Sequence, residues 1–200
     1  MIIKQLEIGM MDNFCYIVGC ETTRKALVID PGADVAHIMS EANKEGLTIE
    51  LIVNTHTHGD HTAGNNQLKA LTNARIVLHE HDASGYPKAD IRLSEEKTLQ
   101  LGKITFDVIQ TPGHTPGGIC LQAEGNLFTG DTLFVGDSGR TDLPGGDRPT
   151  LGASLRRLME LPDATVVWPG HDYGPTPSST IGWEKRHNVN AREYGYYVSD

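Results

Sequence analysis

Apolar residues in the first thirty positions come in strand-length runs, Ile2–Ile8, Phe14–Val18 and Lys25–Ile29, parted by polar or glycine-containing turns, and each run predicts a β-strand. Asp30-Pro31-Gly32 breaks the pattern. Val35, Ile38, Met39 and Ala42 then recur at helical spacing, with Gly46 near the helix C-terminus. Leu51-Ile52-Val53 reads as a short buried strand, and a second helix is predicted over Ala63–Leu71 with Leu68 and Leu71 facing inward. Arg75–His79 is a further strand. Leu99–Leu101 with Ile104–Ile109 predict a hairpin turning at Gly102-Lys103, and Ile119–Gln122 with Asn126–Thr129 predict another. Leu151, Leu155, Leu158 and Met159 mark a helix closed by Pro162, and Val166-Val167-Trp168 is the last clear strand.

Four of these strands run into a turn that carries His or Asp: Val53 before His56, Ile109 before His114, Thr129 before Asp131 and Trp168 before His171. Functional side chains gather on loops at one edge of a rigid scaffold. Strands ending on a common edge would bring these four turns together. The mixture of strand pairs and intervening helices predicts an α/β protein with sheets covered by helices.

Length and composition narrow the setting. A chain of 200 residues fits one domain, expected to span 1–200. No apolar run approaches a membrane span, so no membrane partner is expected. The start, Met1 to Glu7, lacks a basic region and a long apolar stretch, and a cytoplasmic location is expected. With 17 basic and 26 acidic residues the net charge is −9, which argues against nucleic acid as a partner. The three cysteines, Cys15, Cys20 and Cys120, have no paired metal spacing and read as small buried hydrophobes, Cys15 and Cys20 near each other on neighbouring strands.

Thr55-His56-Thr57-His58-Gly59-Asp60-His61 places four potential metal ligands within six residues. Imidazole and carboxylate donors suit zinc, iron or manganese. So short a segment does not easily wrap one ion with all four groups. Division between two adjacent ions is sterically easier, with Gly59 allowing the chain to turn. The two oxygens of Asp131 permit it to bridge, and His114 and His171 would complete the two sets. Ionisable groups packed this closely are costly to fold together unless something binds them. His37, His79, His81 and His187 read instead as surface or capping residues.

The ordered set of Thr55–His61, Thr111-Pro112-Gly113-His114-Thr115-Pro116-Gly117, Gly130-Asp131-Thr132-Leu133-Phe134 and Pro169-Gly170-His171 resembles the motif set of the metallo-β-lactamase superfamily, over nearly the whole chain. The resemblance implies an αββα sandwich, two mixed sheets flanked by helices, with metals at the edge where strands end. It implies that His56, His58 and His114 bind one ion, that Asp60, His61 and His171 bind a second, and that Asp131 bridges them. Asp60 and Asp131 would then be catalytic as well as ligating. Asp30, in Val28-Ile29-Asp30-Pro31-Gly32, matches the acidic position that steadies the histidine loop by hydrogen bonding.

Within the superfamily the chain looks most like the glyoxalase II-like (hydroxyacylglutathione hydrolase) and persulfide dioxygenase branch, on Gly130–Phe134 and Ser138-Gly139-Arg140-Thr141-Asp142. The β-lactamase subclass with a cysteine where Asp131 stands is disfavoured. Two ions would make hydroxide available near neutral pH for attack on a polarised carbonyl. A thiolate leaving group needs no strong protein acid. A thioester or glutathione-type substrate is therefore expected. The alternative is a single iron held by His56, His114 and Asp131 in a persulfide dioxygenase. The 29 residues after His171 are too few for the helical glutathione-binding domain of typical glyoxalase II. Arg140 is the candidate for gripping a substrate carboxylate, with an ion pair to Asp142 nearly as well supported, and Tyr173 sits close enough to His171 to reach the pocket rim, though packing is its stronger reading. The tail from Ser178, with Trp183, Tyr194, Tyr196 and Tyr197, would pack on the domain, cover the pocket or pair with a second copy in a homo-oligomer.

Overall fold

The computed structural model describes residues 1–86, 88–94 and 97–193. Strands β1 (Ile2–Ile8), β2 (Asn13–Gly19) and β3 (Lys25–Ile29) form an antiparallel meander. Parallel neighbours need crossovers, and helices supply them. The chain passes through α1 (Val35–Lys44) to β4 (Thr48–Val53), then through α2 (Gly59–Thr62) and α3 (Asn65–Thr72) to β5 (Arg75–His79). It continues through α4 (Glu80–Ala83) to β6 (Ile91–Leu93), and β3 to β6 run parallel in a sheet ordered β1-β2-β3-β4-β5-β6.

The second sheet starts as an antiparallel meander of β7 (Thr98–Leu101), β8 (Ile104–Gln110), β9 (Ile119–Ala123) and β10 (Asn126–Gly130). Helix α5 (Arg148–Met159) leads to β11 (Val166–Pro169), parallel to β10, and the short β12 (Ser179–Thr180) closes that edge. Helices α6 (Ile181–His187) and α7 (Val189–Glu193) follow. The carboxylate of Asp147 caps α5 by accepting from Thr150 N at 2.8 Å, and Thr180 caps α6 by accepting from Trp183 N at 3.2 Å.

Strand alternation divides the apolar residues into layers. Along β2, Phe14, Tyr16 and Val18 enter the core between the sheets, against Phe106, Leu121 and Phe128. Cys15 and Ile17 point the other way and pack with Val35, Ile38 and Leu68 of α1 and α3. Cys120, Leu127 and Val167 of the second sheet meet Leu151, Leu155 and Leu158 of α5. The result is the helix–sheet–sheet–helix sandwich that the sequence predicted.

Three local readings are corrected. The helix predicted over 63–71 is α3 and begins two residues later, at Asn65, because Gly64 N donates to Pro31 O at 2.9 Å and the chain bends there after the single turn of α2. A Cβ on Gly64 would lie 2.3 Å from Pro31 O, so only glycine permits the approach. Leu68 is buried, but Leu71 is 60% exposed. Each three-residue step falls about 60° short of a full turn, so with Asn65 and Leu68 inward Leu71 is carried about 120° round from Asn65. Cys15 and Cys20 are not on neighbouring strands. Cys15 lies within β2 and Cys20 just past its end, and they face different cores. All three cysteines are free and buried. In the tail, Trp183 belongs to α6 and stacks on His187, whereas Tyr194, Tyr196 and Tyr197 lie outside the described residues.

One edge of the sandwich matters most. Strands β3, β4, β8, β10 and β11 end there and β2 begins there. Backbone hydrogen bonds join the two sheets at that edge, from Phe14 N to Gly170 O at 2.8 Å and from Ile119 N to Thr55 O at 2.9 Å.

Candidate metal centre

The loop after β4 is built on buried polar partners. Asp30, at the end of β3, has a positive φ of 51°, which Asp tolerates better than most residues. Its carboxylate accepts from Thr55 N at 2.8 Å, Thr55 Oγ1 at 2.5 Å and His61 Nδ1 at 3.1 Å. Because the Thr55 hydroxyl donates to Asp30, its oxygen is the acceptor for His56 Nδ1 at 3.1 Å. Asn54 Nδ2 holds the other end of the loop, donating to His61 O at 3.1 Å.

Strand ends from both sheets then place the seven predicted ligands in one cluster. His56, His58 and His114 form one set whose ligand atoms lie within 4.8 Å of one another, and Asp60, His61 and His171 form another. His58 Nδ1 faces His114 Nε2 at 2.9 Å, and His61 Nε2 faces His171 Nε2 at 3.2 Å. Asp131 lies between the sets. Its Oδ2 is 4.0 Å from His56 Nε2, 3.5 Å from His114 Nε2 and 3.3 Å from His171 Nε2, while Oδ1 is 3.3 Å from His61 Nε2. The outward nitrogens have fixed acceptors, His114 Nδ1 on Arg140 O at 2.7 Å and His171 Nδ1 on Met11 O at 2.8 Å. Such bonds fix each ring and aim the opposite nitrogen inward, where the neutral ring can coordinate.

This donor set fits divalent ions. His56 Nε2 and Asp131 Oδ1 are buried without a hydrogen-bond partner among the described residues. Buried polar atoms are nearly always satisfied, and coordination would satisfy these two. The charges of the metal-free cluster agree. Burial resists ionisation of Asp131, yet His61 and His56 beside it hold the carboxyl far below its usual range. Burial opposes the charged form of His61 too, but Asp131, Asp30 and Asp60 outweigh it and raise the imidazole to about 9. Burial, reinforced by neighbouring histidines, drives His56 well down and His58 down. His171, also opposed by burial, is raised by Asp131. One carboxylate thus faces several imidazoles competing for protons.

A glycine makes room for that carboxylate. A Cβ on Gly170 would come within 2.4 Å of Asp131 Oδ1, and Gly130, with φ +48°, lies behind it.

A cavity of about 460 Å³ opens over the cluster, with Met11, Phe134, Leu143 and Tyr173 among its walls. Arg140 reaches this cavity, and its guanidinium makes a bidentate ion pair with Asp142, at 2.6 and 2.7 Å. Tyr173 is half exposed at the rim, its ring stacked on His171 at 4.5 Å. Of the histidines read as capping or surface groups, His79 is buried and caps α4 through His81 N.

Other contributors were not singled out from the sequence. Asn13 Nδ2 donates to Asp60 Oδ2 at 2.9 Å. Asp82, buried in α4, accepts from Thr115 Oγ1 at 2.8 Å and Gly117 N at 2.7 Å, and so holds the turn that carries His114. Neither lies in a metal-ligand pattern, and a buried Asn at a strand start is the sole signal either offers.

Comparison with known proteins agrees with this architecture. The family model described as the metallo-beta-lactamase superfamily matches residues 9–171. A hydroxyacylglutathione hydrolase from Rhodospirillum rubrum is 40% identical over 166 residues, 82% of this chain and 64% of that protein. The chain thus spans less than two thirds of that relative. The mitochondrial persulfide dioxygenase ETHE1 of Mus musculus is 32% identical over 185 residues, 90% of this chain and 71% of that protein. The crystal structure of ETHE1 from Myxococcus xanthus superposes with a TM-score of 0.90 at 36% identity, covering 97% of this chain and 88% of that one. With its sandwich of two mixed sheets and its cluster at their shared edge, the chain belongs to the metallo-β-lactamase superfamily.

Proposed function

We propose that the chain hydrolyses an acyl thioester of a glutathione-type thiol, acting as one domain with two divalent ions. The observation that carries this reading is the pair of complete donor sets facing each other across Asp131. The likeness to a hydroxyacylglutathione hydrolase supports the substrate class. Zinc, iron or manganese held by His56, His58 and His114 and by Asp60, His61 and His171, with Asp131 between, would supply Lewis acidity and a water of lowered pKa.

The chain's own groups do the remaining work. The acceptors on His61, His114 and His171 hold each ring so that its inner nitrogen needs no reorientation. Among the described residues the polar contacts of Asp60 run through Oδ2, which leaves Oδ1 to take a proton from the attacking water. Met11, Phe134, Leu143 and Tyr173 give the acyl group an apolar wall and keep bulk water away. Arg140 is placed to grip a carboxylate of the thiol carrier by exchanging it for Asp142. The leaving thiolate is a weak base, so no protein acid is required.

One observation favours a second reading. His56 and His114, with His171, face Asp131 Oδ2, and the first two with that carboxylate make the set of two imidazoles and one carboxylate that suits a single iron. Together with the likeness to a persulfide dioxygenase, it makes oxidation of a thiol persulfide the alternative. Metal analysis of freshly purified protein, joined to thiol release from S-lactoylglutathione, separates the two. The hydrolase reading expects about two ions per chain and thiol release. A fully metallated sample inactive on a panel of thioesters removes it, and oxygen consumption with glutathione persulfide would establish the alternative.

A further inference from the structure

We infer that Asn13 is a positioning residue for Asp60, and that the tip of the β1–β2 hairpin sets the occupancy of the second metal place alone. The inference rests on the two-ion reading above. Asn13 is 3% exposed, and its Nδ2 donates to Asp60 Oδ2 at 2.9 Å. That same oxygen is the one nearest His61 Nε2, at 3.4 Å, and His171 Nε2, at 3.6 Å. A carboxylate oxygen offers two lone-pair directions. Asn13 occupies one and so aims the other between the two imidazoles. Without the amide, Asp60, whose side chain is 25% exposed, is free to turn outward to water.

The backbone around Asn13 works on the same set. Met11 O accepts from His171 Nδ1 at 2.8 Å. Phe14 N donates to Gly170 O, and Asp172 N donates to Asp12 O, both at 2.8 Å, so the hairpin clasps His171 on either side. Among the described residues, no hydrogen bond of residues 11–14 reaches His56, His58 or His114. His56 is steadied by Thr55 and His114 by Arg140 O, and His58 Nδ1 meets His114 Nε2. Asp30 and Asp131 serve both places, but the hairpin's bonds bear on the second alone, so that place can weaken without the first.

The test titrates metal-free wild-type protein, Asn13→Leu and Asn13→Ala with Zn²⁺ by calorimetry, with folding checked by circular dichroism. Asn13→Leu keeps the side-chain bulk, and Asn13→Ala serves if leucine does not fit. Wild type should take two equivalents. In the variants the second should bind tenfold or more weakly, within the roughly 10–100-fold range for loss of a group that orients a ligand, while the first changes less than twofold. Equal weakening of both equivalents would mark a merely structural role and overturn the inference, as would two unchanged equivalents. A wild type that takes one ion removes both this inference and the two-ion reading. No thioester is present, so two-ion binding by a protein inactive on thioesters removes the proposed substrate and leaves the role of Asn13 standing.

Discussion

Replacing Asp30 with alanine tests how the histidine loop is held. Asp30 is 2% exposed and accepts three hydrogen bonds, from Thr55 N, Thr55 Oγ1 and His61 Nδ1. A buried donor left without a partner costs about 1–3 kcal/mol. The Thr55 hydroxyl can donate to His56 Nδ1, 3.1 Å away, once that ring moves its proton to Nε2, so two donors remain stranded. Alanine at φ 51° adds about 1–2 kcal/mol of backbone strain. The expected loss is about 3–8 kcal/mol, a large part of the roughly 5–15 kcal/mol that holds a typical domain folded. Asp30→Asn keeps the tolerance for positive φ and one acceptor oxygen for Thr55 N, and should lose about 1–3 kcal/mol. Urea unfolding of the metal-free proteins, followed by the fluorescence of Trp168 and Trp183, measures both. Stability should fall in the order wild type, Asp30→Asn, Asp30→Ala. An alanine variant within about 1 kcal/mol of wild type would show that these three bonds do not hold the loop.

Gly170→Ala should displace Asp131 and press on the Gly130 backbone behind it, because its Cβ would sit 2.4 Å from Oδ1 and 2.9 Å from Gly130 C. Metal retained after a chelator challenge should drop tenfold or more, and full retention would refute the close approach. Leu68→Ala should destabilise by about 2–5 kcal/mol, while Leu71→Lys should stay within about 0.5 kcal/mol of wild type. Similar losses for both would contradict the orientation of α3. Glu184 is buried in α6, where its carboxylate accepts from Gly136 N at 3.0 Å, Asn188 Nδ2 at 2.8 Å and Ser179 Oγ, yet burial outweighs these donors and raises its pKa. An acid whose folded pKa is raised opposes folding once ionised, so its penalty grows as pH rises from the unfolded value near 4.5 through the folded one. Glu184→Gln should therefore gain stability relative to wild type between pH 4 and pH 8, measured by thermal unfolding across that range, and a pH-independent difference would refute the assignment.

Much of the architecture was legible in the amino-acid order because its signals are local. A β-strand shows itself in a run of a few apolar residues, and the turn that ends it follows directly, so His56, His114, Asp131 and His171 were recognisable as strand-end residues. The crowded His56–His61 segment announced metal chemistry for the same reason. The weaker elements had no such signal: β6 and β12 are three and two residues long, and α2 and α4 are single turns. Helix α6, capped by Thr180, was not read from the sequence, and its burial depends on packing against α5.

The sequence by itself determined the donor types, their order along the chain and their place at strand ends. The tertiary structure alone decided which nitrogen faces which, that Arg140 contributes its backbone carbonyl to His114, and that Arg140 itself pairs with Asp142. It alone brought Asn13 to Asp60 across 47 positions and Met11 to His171 across 160. The physical reason is that these contacts join separate elements: Asn13 of β2 meets Asp60 just beyond β4 of the same sheet, and Met11 meets His171 across the two sheets. The first exists only once β2, β3 and β4 are ordered side by side, and the second only when two separately formed sheets, driven together by the apolar faces between them, meet in register at one edge.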